Sequence, residues 1–349
     1  MTMHAKTHTI GRICSTCDPS VTLSLWARMS AVILAALWQL PAFFTACSPA
    51  TEPLQPPLRT QIYIFPGENA NAGALDVFFF NEDSLQRLDA YQRFSSGAAL
   101  PLEGLSCSGA KRIVALSNYA DDPYQWSDIQ SYATLADRPF RLEEDSPQAP
   151  LLYGEASVEA GVTRTCELTL HPMLCRVCLR SLACDFGDRP YAGEPLQDVC
   201  AYLTHVSSLC HPMRAEEAPS AWINPGRMDS VAVESLSHPE MLFGRIAPEV
   251  DGRRIFPETT LYCYPNPAES PSFGQPVTTL VVEGTLRGRR YYYPIRLGAM
   301  EASTRVDIDL TLTRAGSPDP DTPVGSDTFS LHLETAPWEN RGETVIHYE

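Results

Sequence analysis

The chain has 349 residues, 44% hydrophobic and 19% charged, enough for about two domains with real cores and too apolar for a disordered tail. Its 26 basic and 42 acidic residues leave a formal charge of −16, which excludes a nucleic-acid groove or a polybasic membrane patch, since both need clustered cations. The 30 prolines exclude long uninterrupted helices, because each interior proline costs about 3 kcal/mol in a helix.

Residues 29–40, MSAVILAALWQL, form a compact apolar run preceded by Arg28 and followed by PAFFTAC, which closes on Cys47. About 12 residues are too few to span a hydrocarbon core of about 30 Å, which takes roughly 20. A cation before the run and small residues after it give it the anatomy of a secretory signal, with a buried N-terminal helix as the other reading. Phe44-Thr45-Ala46-Cys47 resembles a bacterial lipobox, with phenylalanine where leucine is commoner. That resemblance implies cleavage between Ala46 and Cys47 and acylation of the Cys47 thiol, with palmitate among the acyl chains. Each buried methylene contributes about 0.8 kcal/mol to membrane binding, so a multiply acylated cysteine anchors firmly. Loss of residues 1–46 removes three cations and one anion and takes the net charge from −16 to −18. Residues 47–59, with Pro49, Pro53, Pro56 and Pro57, then read as a semi-rigid extended tether.

Beyond the tether the chain reads as strands. Residues 61–65, 75–80 and 112–117 are the first candidates, and residues 82–94 and 126–135 carry short helical patterns of at most three turns. A strand at 165–170 precedes the best domain boundary, at His171-Pro172, which separates sandwiches at 60–171 and 172–349. Strands follow at 175–182 and 261–264, with a long proline-rich loop at 212–225 between them. Residues 278–297 hold two strand runs joined at Arg287-Gly288-Arg289, a hairpin signal. In residues 305–313, RVDIDLTLT, Val306, Ile308, Leu310 and Leu312 fall on one face and Asp307, Asp309, Thr311 and Thr313 on the other. Residues 314–325, RAGSPDPDTPVG, are turn-rich, and Phe329, Leu331 and Leu333 alternate with Ser330, His332 and Glu334. Many short strands with turns between them predict an all-β chain of antiparallel β-sandwiches with few short helices.

The chemistry-bearing residues each carry a structural reading beside a functional one. Cys175-x-x-Cys178 has the spacing of a zinc or redox pair, but strand alternation sends the two sulfurs to opposite faces. Export favours disulfides among Cys107, Cys166, Cys175, Cys178, Cys184, Cys200, Cys210 and Cys263, with buried free thiols as the alternative. His171-Pro172-Met173 and His211-Pro212-Met213 repeat a triplet near cysteines, and Asp319-Pro320-Asp321 offers two calcium-type ligands inside a loop. Tyr291-Tyr292-Tyr293 suits sugar stacking, yet alternation turns Tyr292 away from the other two. No nucleophile elbow, phosphate loop, dinucleotide fingerprint or His-Glu-x-x-His pattern occurs, so neither a catalytic residue nor a cofactor or metal is assigned.

The last third carries a specific resemblance, spread over LYCYPN at 261–266, TTLVVEGTLRGRRYYYPIRLG at 278–298, TRVDIDLTLTRAGSPDPDTPVG at 304–325 and TFSLHLETAPW at 328–338. In order and spacing these segments resemble the fimbrillin superfamily of Bacteroidales fimbrial subunits, including its FimB-like anchor proteins. The N-terminal half is similar more loosely, through residues 61–67, 110–118 and 152–155. The resemblance implies transthyretin-like sandwiches and a non-enzymatic, lipid-anchored outer-membrane protein, an anchor or minor component of a surface fimbrium. Its partners would be other fimbrial subunits, joined by strand exchange, with a host or bacterial surface ligand as a further partner and no nucleic acid. The tail at 328–349, with Phe329, Leu331, Leu333 and Trp338, becomes the candidate donor or closing strand, or an ordinary edge strand of its own domain. Arg59 becomes the candidate site for an arginine-specific protease. The rival readings are a glycan-binding or adhesin lipoprotein on the same fold, and a periplasmic enzyme.

Overall fold

The computed structural model describes residues 59–66, 72–96, 102–119, 125–159, 163–194, 196–247, 255–256, 258–325 and 327–338. The expected leader, Ala46, Cys47 and the tether lie outside these residues. A first sheet of seven strands is built from β1 (Arg59–Pro66), β2 (Leu75–Asn81), β3 (Leu88–Phe94), β4 (Leu102–Ser108) and β5 (Lys111–Ser117) with two later strands. After the two-residue β6 (Phe140–Arg141), these are β7 (Leu152–Val158) and β8 (Thr165–Pro172), and the order is β3-β2-β5-β7-β8-β1-β4. All neighbours are antiparallel except β1 and β8, which run parallel.

Two interior strands, LDVFFFN in β2 and KRIVALS in β5, are apolar on both faces because both faces are covered. Val77, Phe79, Ile113 and Ala115 join one core cluster with Ile62, Ile64, Leu168 and Leu170. Phe78, Phe80, Val114 and Leu116 face the other way, into a second and larger cluster. There Trp126 meets Phe78 edge-on at 5.3 Å, and Phe140 and Leu142 complete the cover.

The larger cluster continues into the second half of the chain. After β9 (Cys175–Cys184) and β10 (Gln197–Thr204) come three two-residue strands, β11 (Val206–Ser207), β12 (Leu209–Cys210) and β13 (Trp222–Ile223). Then follow β14 (Phe243–Arg245), β15 (Ile255–Phe256), β16 (Thr259–Cys263), β17 (Thr279–Leu286), β18 (Arg289–Arg296), β19 (Thr304–Leu312) and β20 (Phe329–Pro337). One sheet runs β14-β10-β17-β18, and the other runs β15-β9-β19-β20 with β16 also on β9. Ala201, Leu203, Leu280, Val282, Tyr293 and Ile295 of the first share a core with Val177, Leu179, Val306, Ile308, Leu310 and Leu312 of the second. That is a β-sandwich, and each fully buried aliphatic side chain contributes about 1.5–3 kcal/mol.

The expected strands appear within a few residues of their sequence bounds, and Arg287 and Gly288 both take positive φ in the tight turn between β17 and β18. Residues 82–94 are not a helix. Asp83 Oδ1 accepts the amides of Leu85 at 3.0 Å and Gln86 at 2.8 Å, which makes a turn, and Leu88–Phe94 then pairs with β2 as β3. Tertiary contacts override the helical spacing: the Tyr91 hydroxyl donates to buried Asp76 at 2.6 Å, and its ring lies 5.1 Å from Phe78. Within 126–135 only the end is helical, as α1 (Tyr132–Ala136), closed by a Ser131–Thr134 capping box. Its five residues are matched by one further short helix, α2 (Ser230–Glu234), capped by Asp229.

Candidate functional site

Two features of the second sandwich stand out, an uncovered edge strand and a walled cleft. β20 bonds to β19 along nine residue pairs, from Leu312 opposite Phe329 to Thr304 opposite Pro337. Among the described residues no strand pairs with its other edge. The four apolar residues of β19 are at most 1% exposed, whereas Phe329 and Leu333 are half-buried and Leu331 is 38% exposed. Phe329 and Leu331 line one side of a cleft of about 490 Å³, opposite Ile295, Pro294 and Val277 at the far end of the other sheet. At the opposite end of β20, Trp338 donates its amide to Ser303 at 2.6 Å and packs its ring 5.8 Å from Tyr262. All four residues expected on this strand are therefore on or next to it; Phe329 and Leu333 pack partly buried against the core, and Leu331 between them stays 38% exposed.

Arg59 is exposed at the first position of β1, opposite Ser108 of β4. β1 is clamped between β4 and β8, with Ile62 and Ile64 fully buried. A cut after Arg59 would sever the tether and leave the strand in its sheet.

The cysteine spacing reads as alternation predicts. Cys175 Sγ donates to the Glu301 carbonyl at 3.0 Å inside the core, while Cys178 Sγ lies 3.7 Å from Thr260 Oγ1 on the other face. Cys107, Cys166, Cys175, Cys178, Cys200, Cys210 and Cys263 are free thiols, six of them buried. Strand β1 explains one missing bridge: Cys107 lies opposite Thr60 and Cys166 opposite Ile62, so two inter-strand spacings, roughly 9–10 Å, separate them. A disulfide needs its Cα atoms within about 7 Å. Cys175 stands directly opposite Cys263, and these two are reduced as well. His171 is exposed on β8 and His211 lies after β12, and among the described residues no three His, Cys, Asp or Glu side chains are grouped to hold a metal ion.

The walled cleft, of about 740 Å³, covers the outer face of the β14-β10-β17-β18 sheet. Strand register lines up Arg245, Cys200, Glu283 and Tyr292 as one rung across its floor, with Phe243 and Tyr202 on the next. The tyrosine triplet divides as alternation requires: Tyr293 is fully buried in the core and Tyr292 turns outward into the cleft. Two loops make the walls. One contains Asp319-Pro320-Asp321 and is strapped to β18 by reciprocal Tyr292–Ser317 backbone bonds of 2.8 and 2.9 Å. The other, with Arg227 and Met228, is held by Asn224, whose fully buried amide donates to Leu203 at 2.8 Å and accepts from Asp229 at 2.8 Å.

Burial and Glu283 push the Cys200 thiol up to about 12, so it is a protonated, weakly reactive group on this floor. Burial raises Glu283 against the opposing Arg290 guanidinium 3.0 Å away, and burial followed by neighbouring Asp319 raises Asp321. Asp198, at the bulge of β10, enters the cleft from a left-handed backbone with φ of 49°. Sequence reading singled out Tyr292, Asp319 and Asp321 for separate reasons and did not join them. Only strand register and the loop strap bring them together.

No family model matches the chain, and no curated protein matches it by sequence. Solved structures do match it. A fimbrilin (FimA) from Porphyromonas gingivalis aligns at a TM-score of 0.57 with 12% identity, over 80% of this chain and 97% of its own. The chain has the fimbrillin fold. The tip fimbrial protein Mfa3 from the same organism, with a C-terminal truncation, aligns at 0.50 with 9% identity over 81% and 100% of the two chains. A candidate cell adhesion protein from Bacteroides eggerthii aligns at 0.56 with 17% identity over 81% and 96%. At these identities the likeness is one of fold, and it carries the all-β sandwich reading of the sequence.

Proposed function

We infer that the chain is a structural, non-catalytic subunit of a cell-surface fimbrium, an anchor or minor component held in the outer membrane by a lipid on Cys47. Its two sandwiches are residues 60–171 and 172–349, and it joins other subunits by strand exchange. The observation that carries this reading is β20, whose outer edge pairs with no strand among the described residues, with an exposed Leu331 on its apolar face and a groove alongside. Such an edge is a template for another extended segment, with main-chain bonds giving affinity and alternate side chains filling the groove. The fimbrillin fold supports the same reading. An anchor keeps its lipid, so this role requires that Arg59 stay uncut.

The test is co-expression with fimbrial subunits followed by electrophoresis of surface fractions without boiling. The expected result is a ladder of heat-resistant oligomers that contain this chain and shorten or vanish in Leu331→Glu. Leu331 is 38% exposed, and a thermal melt of the variant separates loss of a partner from loss of fold. Oligomers that persist undiminished in Leu331→Glu would overturn the role given to β20.

A further inference from the structure

The walled cleft does no work in assembly by strand exchange, because it offers no uninterrupted strand edge to a peptide. β10 and β17 are each paired on both sides, β14 is three residues long, and the outer edge of β18 is bridged at its middle, at Tyr292, by Ser317. An extended peptide would find only an interrupted main-chain ladder there. Its charges argue next. Arg227, Arg245 and Arg290 face Asp198, Glu283, Asp319 and Asp321, one negative charge more than positive, on a chain of net −16. An anion would meet a surplus of carboxylates, and a wholly apolar ligand would have to strip water from seven charged side chains without replacing their bonds.

A polyhydroxylated ligand satisfies both conditions. Each hydroxyl donates one bond and accepts two, so it can take bonds from a guanidinium and give one to a carboxylate, and such charge-assisted bonds are about twice as strong as neutral ones. The aromatic surfaces of Tyr292 and Phe243 supply the apolar platform that the carbon faces of a sugar ring need. The arrangement is also fixed in advance. The Tyr292–Ser317 strap and the buried Asn224 set both walls, and about 740 Å³ lies within the usual range of ligand sites. We propose that this cleft is a binding site for a neutral glycan, laid across the Arg245–Tyr292 rung between the Asp319 and Arg227 loops. The site lies on the outer face of the other sheet, shares only its Pro320-Asp321 wall with the groove at β20, and adds a recognition function to a structural subunit.

The experiment uses the full chain against a glycan array of neutral hexasaccharides (glucose, mannose, xylose and N-acetylglucosamine series), with oligogalacturonate and mixed-sequence decapeptides as anionic and peptide probes. The best neutral hexasaccharide is then titrated by calorimetry. The expected result is binding to at least one neutral hexasaccharide, weakened at least tenfold by Tyr292→Ala and by Asp319→Ala, retained in Tyr292→Phe, and unaffected by Phe273→Ser outside the cleft. Circular dichroism melts of the same variants separate loss of binding from loss of fold. Selective binding of oligogalacturonate or of the decapeptides, no binding to any neutral probe, or neutral binding unchanged in folded Tyr292→Ala and Asp319→Ala would each overturn the proposal. Failure of the oligomer ladder would bear on β20 and leave this test untouched.

Discussion

Asp145 is a carboxyl buried at the join between the cover of the first sheet and the second sandwich, with 5% of its surface exposed. Burial pushes it up to about 6, against the Ser146 and Leu151 amides that its Oδ1 accepts at 2.7 and 3.0 Å; the Tyr264 hydroxyl and His238 also oppose the shift. Between pH 4 and 6 the folded chain therefore holds a proton that the unfolded chain has lost. Stability from this group falls as pH rises through that window and is level above it, by on the order of 3 kcal/mol in total. The difference between wild-type and Asp145→Asn unfolding free energies, measured by urea titration from pH 4 to 7, should show that slope. A flat difference would remove Asp145 as its source. Nothing around Asp145 in the sequence marks it, because its burial depends on Tyr264 and Leu151, far from it or outside any motif. The cysteine alternation in β9 was legible for the opposite reason: period two is local, and it separated Cys175 from Cys178 before any tertiary contact was known.

Elements with strict apolar–polar alternation announced themselves, and β19 is the clearest, its four apolar residues buried as their alternation requires, although Asp307 on the other face is buried too, beside Arg305. β3 misled because Leu85, Leu88, Tyr91 and Phe94 recur at a helical interval, while what decides their structure is the unpaired edge of β2 and the Asp76 carboxylate. β4 and β7 were poorly legible because glycine, serine and alanine occupy much of LEGLSCS and LYGEASV, and these residues carry little β-propensity. The strap on the cleft is an element-scale feature with a sharp requirement. A Cβ on Gly316 would lie 2.3 Å from the Tyr292 carbonyl oxygen, so the loop can sit against β18 only with glycine there. Gly316→Ala should cost about 1–3 kcal/mol in equilibrium unfolding through this overpacking. It should also weaken the bond from the Tyr293 hydroxyl to the Arg314 carbonyl, now 3.0 Å, and raise tyrosine exposure in fluorescence quenching. Unchanged stability would mean that the loop is free to move off the strand.

At the scale of the whole molecule, the all-β class follows from proline content and short alternating runs. The sharing of one core by Phe78 of the first sheet and Ile308 of the last does not, since nothing local says which covered face meets which. The cleft was equally hidden, because its floor joins the β17–β18 hairpin to β10 and β14, which lie far from it in the chain. The proposed lipid attachment rests on sequence alone, on the apolar run at 29–40 and the lipobox-like segment that closes on Cys47. Replacing Cys47 with serine would remove the thiol proposed to carry the lipid, and cell fractionation should then find the chain in soluble fractions. Retention in the outer membrane at wild-type levels would contradict lipid anchoring. Assembly is the larger claim, and it rests on β20, whose outer edge pairs with no strand among the described residues and whose Leu331 is exposed. A photo-crosslinking amino acid placed at position 331, with position 273 as the exposed control, tests it in assembled surface material. The account predicts that position 331, and not 273, crosslinks to an extended segment of a fimbrial subunit or of a second copy, identified by mass spectrometry of the joined peptides. Crosslinks at 331 that stay within the same chain, or that match those at 273, would contradict it.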